Sequence, residues 1–186
     1  MNLPNKLTLL RVCLIPVFVV FARMEAFGMQ LIAAGIYVLA CVTDALDGRI
    51  ARSRNLVTNF GKFMDPIADK LLVMSAMIVL AAQGRMPDWV CILMLGREFL
   101  VSGFRLVAVE NGVVIAAGPL GKLKTVFQML ATLALMLLVS PQGPEASLLG
   151  SGGILFARIL MYVALALTVV SGADYILRNR SFIGDM

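Results

Sequence analysis

Six long apolar segments constrain the fold of this chain more than any other feature of its sequence. The segments lie near 7–23, 29–47, 62–83, 89–109, 123–140 and 154–177. Each is close to the roughly 20 residues that an α-helix needs to cross the hydrocarbon core of a bilayer. Residues that favour turns separate them: Gly28, Gly84 with Pro87, Gly118 with Pro119 and Gly121, and the stretch 141–153.

The composition is that of a membrane protein. Hydrophobic residues make up 60% of the 186 residues and charged residues only 15%, whereas a soluble domain carries about 25% charge. The apolar segments lack the alternation that is typical of β-barrel strands. We therefore expect a single all-α integral membrane domain over 1–186, with six transmembrane helices.

Two residue types exclude common site chemistries. Histidine is absent, which excludes Ser-His-Asp triads, histidine-based phospholipase chemistry and the usual histidine-rich zinc sites. Cys13, Cys41 and Cys91 lie in apolar segments without metal-type spacing. We interpret the three cysteines as small buried hydrophobic residues.

The distribution of lysine and arginine predicts the orientation in the membrane. If the N-terminus is cytoplasmic, the outer loops receive only Arg23 and Arg85. The inner regions then receive Lys6, Arg49, Arg52, Arg54, Lys62, Lys122, Lys124, Arg178 and Arg180. Because basic residues concentrate on the cytoplasmic side, we expect a multi-pass protein of the cytoplasmic membrane with both termini in the cytoplasm.

Four aspartates form the strongest candidate for a reactive site. Asp44 and Asp47 end the second segment, and Asp65 and Asp69 open the third, so both pairs are expected at the cytoplasmic face. Residues three or four apart share a helix face, which would turn the four carboxylates into one pocket. Such carboxylates repel one another unless cations neutralise them. Oxygen-only ligation suits Mg²⁺, Mn²⁺ or Ca²⁺, and two such ions could clamp a diphosphate.

A simpler alternative is that these acids only pair with neighbouring cations at the interface. The available cations are Arg49, Arg52, Lys62 and Lys70. Pairing of this kind explains any single aspartate, but it does not explain four at matched spacing with small residues between them. Gly48, Ala51 and Gly61 leave room for close helix approach or for a ligand.

The full motif resembles a known signature. Asp44-x-x-Asp47-Gly48-x-x-Ala51-Arg52, then eight residues, then Gly61-x-x-x-Asp65-x-x-x-Asp69 is similar at every position to the signature of the CDP-alcohol phosphotransferase family. The resemblance implies a six-helix bundle that transfers a phosphatidyl or similar group from a CDP-linked donor to an alcohol and releases CMP. It also implies a role for each motif residue. Asp44, Asp47 and Asp65 would be metal ligands, and Asp69, at the metal edge, would be a further ligand and the general base. CDP would be bound by Gly48, Ala51, Arg52 and Gly61.

The N-terminal stretch has two open interpretations. Asn5 and Thr8 could form a wall of the same site and contact the CDP group. Alternatively the stretch is a membrane anchor, with Arg11 extending its charged end to the interface.

Charged residues in the fourth and fifth segments are the candidates for choosing the acceptor. Ionisable groups within a bilayer are costly and usually face a functional cavity. We expect Arg97, Arg105 and Lys122 to bind the phosphate of an anionic acceptor, while Glu98 shares a helix face with Ser102 and Arg105. The alternative is that Arg97 and Glu98 simply close a polar network between helices.

Four shorter stretches carry a weaker resemblance to family members whose acceptor is sn-glycerol 3-phosphate. They are 4–11, 96–99, 121–125 and 171–175. The donor implied is CDP-diacylglycerol, in a homodimer surrounded by membrane lipids and without a nucleic-acid partner. Inositol phosphate, inositol or serine stays open as the acceptor. A divalent-cation transporter is the alternative from another class, although it would place its acids near the bilayer midplane. The roles of Lys124 and Asp174 stay undecided.

Overall fold

The computed structural model describes residues 3–53, 59–111, 118–142 and 147–179. For residues 3–8, 44–53, 59–66, 69 and 110 the description covers the helical backbone. Within these ranges the chain forms six α-helices and no strand: α1 (Leu3–Arg23), α2 (Phe27–Ser53), α3 (Asn59–Ala82), α4 (Asp88–Glu110), α5 (Pro119–Leu138) and α6 (Gly150–Arg178). The predicted all-α class and a helix at each apolar segment are confirmed.

Most of these helices extend beyond the apolar segments that predicted them. α2 continues six residues past position 47 to Ser53, and α3 begins at Asn59 rather than at 62. Hydropathy marks only the apolar part of a helix, whereas backbone hydrogen bonding continues through polar residues of adequate helix propensity. The polar ends of α2 and α3 are therefore helical, and they contain the aspartate motif.

The predicted breaks are partly correct. Gly84 has a positive φ of 69° and ends α3, and Pro119 opens α5 directly after Gly118, as their backbone preferences favour. Gly28 lies inside α2, because the turn between α1 and α2 is at residues 24–26. The predicted loop 141–153 also overlaps α6, which already begins at Gly150.

A small polar network ties two turns together at one end of the bundle. The Arg85 guanidinium, in the α3–α4 turn, donates through Nη2 to Gln30 Oε1 on α2. Gln83 Nε2 donates to the backbone oxygen of Ala22 on α1 at 2.8 Å. Burial lowers the pKa of Arg85 to about 10, so the group still carries its charge at neutral pH.

Packing in the bundle involves small residues along α6. α5 and α6 form the most extensive helix pair, and α1 packs against both α2 and α3. Buried α6 residues recur at spacings of three or four on one face: Ala157, Met161, Ala164, Thr168, Ser171 and Tyr175. Small residues at such positions let helix backbones approach closely, as in membrane bundles.

The bundle exposes many large apolar side chains and also buries several polar ones. Large apolar side chains are exposed on all six helices, among them Leu10, Leu39, Ile78, Leu100, Val126 and Leu155. Several polar side chains are buried instead, including Lys124, Gln128, Thr132 and Ser171. Two of the described helices, α5 and α6, are long and apolar enough to cross a membrane. These features indicate a membrane protein, while the crossing of all six helices stays a prediction.

The cysteine prediction was only partly right. Cys91 is buried and Cys41 half-buried, but Cys13 is exposed on α1. An apolar residue in a membrane helix can face the lipid as well as the protein interior. An apolar neighbourhood along the sequence therefore did not decide burial for Cys13.

Candidate active site

The aspartate motif lies on two consecutive helices. Asp44 and Asp47 are in the C-terminal part of α2, and Asp65 and Asp69 are in the N-terminal half of α3. Only residues 54–58 connect the two helices, so both pairs lie on the ends that this connection joins. The four carboxylates are outside the described side chains, and their convergence in one pocket stays a prediction.

The CDP-binding candidates lie on α1, α2 and α3. Gly48, Ala51 and Arg52 are in α2 and Gly61 is in α3, while Asn5 and Thr8 occupy the first two turns of α1. α1 and α2 form a helical hairpin with a three-residue turn, so the start of α1 and the end of α2 lie at the same end of the bundle. The side chains of these six candidates are also outside the described part.

The donor set of the motif fits a hard divalent cation. Four carboxylates offer only oxygen, the ligand atom that Mg²⁺ and Mn²⁺ prefer. Among the side chains that the structure does describe, no cluster of three His, Cys, Asp or Glu residues is arranged for a metal. Asp44, Asp47, Asp65 and Asp69 therefore remain the candidate ligand set.

Arg97 of α4 is fixed against α6. Its Nη2 donates to Ser171 Oγ at 3.0 Å, and its aliphatic part packs on Gly172. A Cβ atom at position 172 would lie 3.2 Å from Arg97 Cγ, closer than side-chain carbons usually approach. Glycine at this position thus gives Arg97 the space it occupies.

Arg105 meets the same face of α6 one helical turn further along. Its guanidinium carbon lies 5.5 Å from the centre of the Tyr175 ring, within the range of a cation–π contact. Phe104 packs edge-on against that ring, with 5.7 Å between centroids. We term Arg97, Arg105, Ser171 and Tyr175 the α4–α6 cluster.

Lys122 lies beside this cluster without a described contact to it. Its side chain is exposed, in the first turn of α5. The preceding residue, Gly121, is close to Arg97, because a Cβ atom there would be 4.0 Å from Arg97 Nη2. The structure thus brings Arg97 and Arg105 to one face of α6 and places Lys122 on the adjoining turn.

A polar network connects the cluster to α5 and α3. Glu98 Oε1 accepts a hydrogen bond from Lys124 Nζ and lies 3.8 Å from Arg97 Nη1. Ser102 Oγ donates to the backbone oxygen of Glu98 at 2.6 Å and accepts from Lys70 Nζ. Since Lys70 directly follows Asp69, this network links the aspartate helix to the arginine helix.

Three buried donors in the cluster have no hydrogen-bond partner among the residues that the structure describes. They are Arg97 Nε, Arg105 Nε and the Tyr175 hydroxyl. A buried polar atom without a partner costs about 1–3 kcal/mol, and such atoms are rare in native structures. An anion bound among these groups would satisfy them.

The sequence interpretation missed the contribution of α6. Ser171 and Tyr175 are four residues apart on the buried face that Thr168 also occupies, a polar stripe that helical spacing could have revealed. The burial of Lys124 had no such signal, because a lysine near a helix start normally indicates the membrane edge.

The Asp174 side chain has no described hydrogen bond to the cluster. Its Oδ1 accepts a hydrogen bond from Arg178 Nε at 2.8 Å in a largely exposed pair.

Comparison with known proteins decides the family. The family model of the CDP-alcohol phosphatidyltransferases matches residues 1–170. The chain belongs to the CDP-alcohol phosphatidyltransferase family. The motif at 44–69 and the α4 arginines all lie within the matched range, so the resemblance inferred from the motif is confirmed for the family.

Several members of the CDP-alcohol phosphatidyltransferase family are similar over nearly the whole chain. A CDP-diacylglycerol–glycerol-3-phosphate 3-phosphatidyltransferase of Bacillus subtilis is 42% identical over 190 residues, covering 96% of this chain and 95% of the relative. A protein of the same name from Rickettsia typhi is 41% identical over 177 residues, with 94% of each chain covered. A probable phosphatidylglycerophosphate synthase of Mycobacterium tuberculosis is 39% identical over 186 residues, covering 98% of this chain and 84% of the relative.

Proposed function

We propose that the protein transfers a phosphatidyl group from CDP-diacylglycerol to sn-glycerol 3-phosphate. The products are phosphatidylglycerophosphate and CMP, in the synthesis of phosphatidylglycerol. One observation carries the proposal: the chain is 42% identical, over 96% of its length, to a relative named for this reaction. The α4–α6 cluster is the local feature that fits a phosphorylated acceptor.

The donor side of the reaction is assigned to α1, α2 and α3. Asp44, Asp47, Asp65 and Asp69 would hold two divalent ions, Mg²⁺ or Mn²⁺, which would supply positive charge beside the diphosphate. Gly48, Ala51 and Gly61 leave space for the cytidine diphosphate group. Arg52 offers a planar fork to its phosphate oxygens, with Asn5 and Thr8 as the facing wall.

The chemical step needs a base and a fixed nucleophile. Asp69 takes the proton from the acceptor hydroxyl. The hydroxyl oxygen then bonds to the phosphorus that carries the diacylglycerol, and the bond from that phosphorus to the CMP oxygen breaks. Orientation of the acceptor relative to the donor contributes to the rate, because it converts a bimolecular encounter into a reaction within one site.

The acceptor side is assigned to the cations of α4 and α5. Arg97, Arg105 and Lys122 hold the phosphate of sn-glycerol 3-phosphate, and the buried Arg97 Nε and Arg105 Nε provide donors for its oxygens. A neutral alcohol would leave these buried cationic donors without a partner. A site of this kind discriminates strongly against an analogue that lacks the matching group.

The proposed setting is the cytoplasmic membrane, crossed six times, with both termini and the active site at the cytoplasmic face. The exposed apolar side chains on all six helices support contact with lipid along the bundle. The acyl chains of CDP-diacylglycerol would then remain in the bilayer while its head group reaches the aspartates. A homodimer is part of the proposal through the family resemblance.

Release of CMP by the purified protein tests the proposal. With CDP-diacylglycerol, sn-glycerol 3-phosphate and Mg²⁺ or Mn²⁺, we expect CMP and phosphatidylglycerophosphate, and a chelator should abolish both. Release of CMP only with inositol phosphate, inositol or serine would identify that alcohol as the acceptor in place of sn-glycerol 3-phosphate. No release with any alcohol, together with cation flux in liposomes, would replace the enzyme by the transporter alternative.

A further inference from the structure

Lys124 is a buried cation in a position where an exposed one is expected. It is the sixth residue of α5, yet its side chain is 0% exposed. Its Nζ bonds to Glu98 Oε1 on α4. A buried charge is tolerated only when it is paired, so Lys124 requires Glu98.

Glu98 also lies next to the arginine of the proposed acceptor site. The oxygen that Lys124 binds, Oε1, is 3.8 Å from Arg97 Nη1, which is too far for a hydrogen bond. Arg97 directs Nη2 to Ser171, while its Nε is buried without a partner in the described part of the chain. Glu98 is thus close to Arg97 but is hydrogen-bonded to Lys124.

A carboxylate in this position is a competitor for the acceptor. Arginine and carboxylate form strong hydrogen-bonded pairs through two parallel contacts. If Glu98 turned to Arg97, it would occupy the guanidinium and place a negative charge where a phosphate is to bind. Of the other described cations nearby, Lys70 donates to Ser102 Oγ and Arg105 lies over the Tyr175 ring.

We propose that Lys124 is a positioning residue that holds Glu98 away from Arg97 and so leaves Arg97 available to the acceptor phosphate. The proposal rests on the proposed function and deepens it. Lys124 itself does not contact the acceptor. It acts through Glu98, and its effect should vanish when Glu98 carries no charge.

The test compares one single variant and one double variant with the wild type and follows the KM for sn-glycerol 3-phosphate. In Lys124→Met the KM should rise about tenfold, the equivalent of roughly 1.4 kcal/mol, because Glu98 then pairs with Arg97. The KM for CDP-diacylglycerol should stay unchanged. In the double variant Glu98→Gln with Lys124→Met, the acceptor KM should return to within about twofold of wild type, since no competing charge remains, a difference near 0.4 kcal/mol.

Arg158→Met is the matched control for the loss of one cation. Arg158 is exposed on α6, 13 residues from Ser171 and so about 20 Å along the helix axis. The Arg158→Met variant should have the same KM for sn-glycerol 3-phosphate as the wild type. Melting temperatures recorded for all variants separate stability from binding, because KM does not depend on the fraction of folded enzyme.

Each other outcome overturns the proposal in a distinct way. An acceptor KM that stays raised in the double variant would make Lys124 a direct ligand of the acceptor. An unchanged KM in Lys124→Met, with only a lower melting temperature, would leave the pair a purely structural one. If Lys124→Met does not fold, the charge-free double variant alone decides, and a raised KM in it contradicts the proposal. Absence of CMP release by the wild type would instead refute the proposed function.

Discussion

The α4–α6 cluster and the adjoining Lys124 concentrate positive charge where it is costly. Arg97 and Arg105 each have a buried Nε without a partner among the described residues, and Lys124 is fully buried. Glu98 bonds to Lys124 and lies 3.8 Å from Arg97 Nη1. Charges inside a membrane protein are expensive unless they pair or bind something. Among the described side chains, the excess of cations over carboxylates at this point therefore fits an anionic ligand.

Replacement of the proposed base gives a sharp prediction for a single residue. Asp69→Asn keeps the shape of the side chain but removes the proton acceptor, so kcat should fall roughly 10²–10⁴-fold. Asp44, Asp47 and Asp65 remain as metal ligands, and thermal protection by CDP-diacylglycerol with Mg²⁺ should therefore persist. CMP release and melting curves measure the two effects.

Asp174→Asn is the matched control for Asp69→Asn. Asp174 accepts a hydrogen bond from Arg178 in a largely exposed pair on α6, and such pairs contribute little to stability. Its substitution should leave turnover unchanged. Full activity in Asp69→Asn would remove that residue from the role of base.

A glycine of α6 makes room for the Arg97 side chain of α4. A Cβ atom at position 172 would lie 3.2 Å from Arg97 Cγ and 3.7 Å from Arg97 Nε, whereas one at position 103 of α4 would meet nothing within 4 Å. Gly172→Ala should displace Arg97 and raise the KM for the acceptor about three- to tenfold, or roughly 0.7–1.4 kcal/mol. Steady-state kinetics at saturating CDP-diacylglycerol provide the measurement.

Gly103→Ala controls for the general effect of replacing a helical glycine. Alanine favours the helix by about 1 kcal/mol over glycine at an unstrained position. The two variants therefore gain the same helix-propensity contribution to the free energy of folding. The acceptor KM of Gly103→Ala should match wild type. Equal KM values in the two variants would show that α6 does not need glycine beside Arg97.

The helices could be predicted from the sequence because their causes are local. Apolar length predicted a helix at every segment, and Gly84 and Pro119 ended or opened helices through their own backbone preferences. The partners of Arg97, Arg105 and Lys124 could not be predicted in this way. Which face of α4 meets α6, and which lysine of α5 is buried, depends on packing between residues far apart in the chain.

At the scale of the whole molecule, the exposed apolar surface defines the environment. Exposed leucine, valine and isoleucine side chains on every helix need an apolar solvent, because monomeric soluble proteins rarely expose large apolar patches. The same arrangement places buried polar groups between helices, where they can bind a ligand. The distribution of apolar and polar side chains thus accounts for both the apolar surface and the polar groups of the internal site.

The predicted orientation is testable with the full chain. A reporter that is active only in the cytoplasm should be active when fused to either terminus, because six crossings return the chain to its starting side. A reporter that is active only outside should be silent at the C-terminus. Activity of that second reporter at the C-terminus would contradict the proposed orientation.

The central claim is that the aspartates of α2 and α3 carry out the reaction while the cations of α4 and α5 choose a phosphorylated acceptor. The most direct measurement compares kcat/KM of the purified enzyme for sn-glycerol 3-phosphate and for glycerol, with the same CDP-diacylglycerol and Mg²⁺. We predict a preference for the phosphorylated alcohol of about 10³-fold or more, as expected when buried donors lose their partner. Comparable kcat/KM values for the two alcohols would contradict the account.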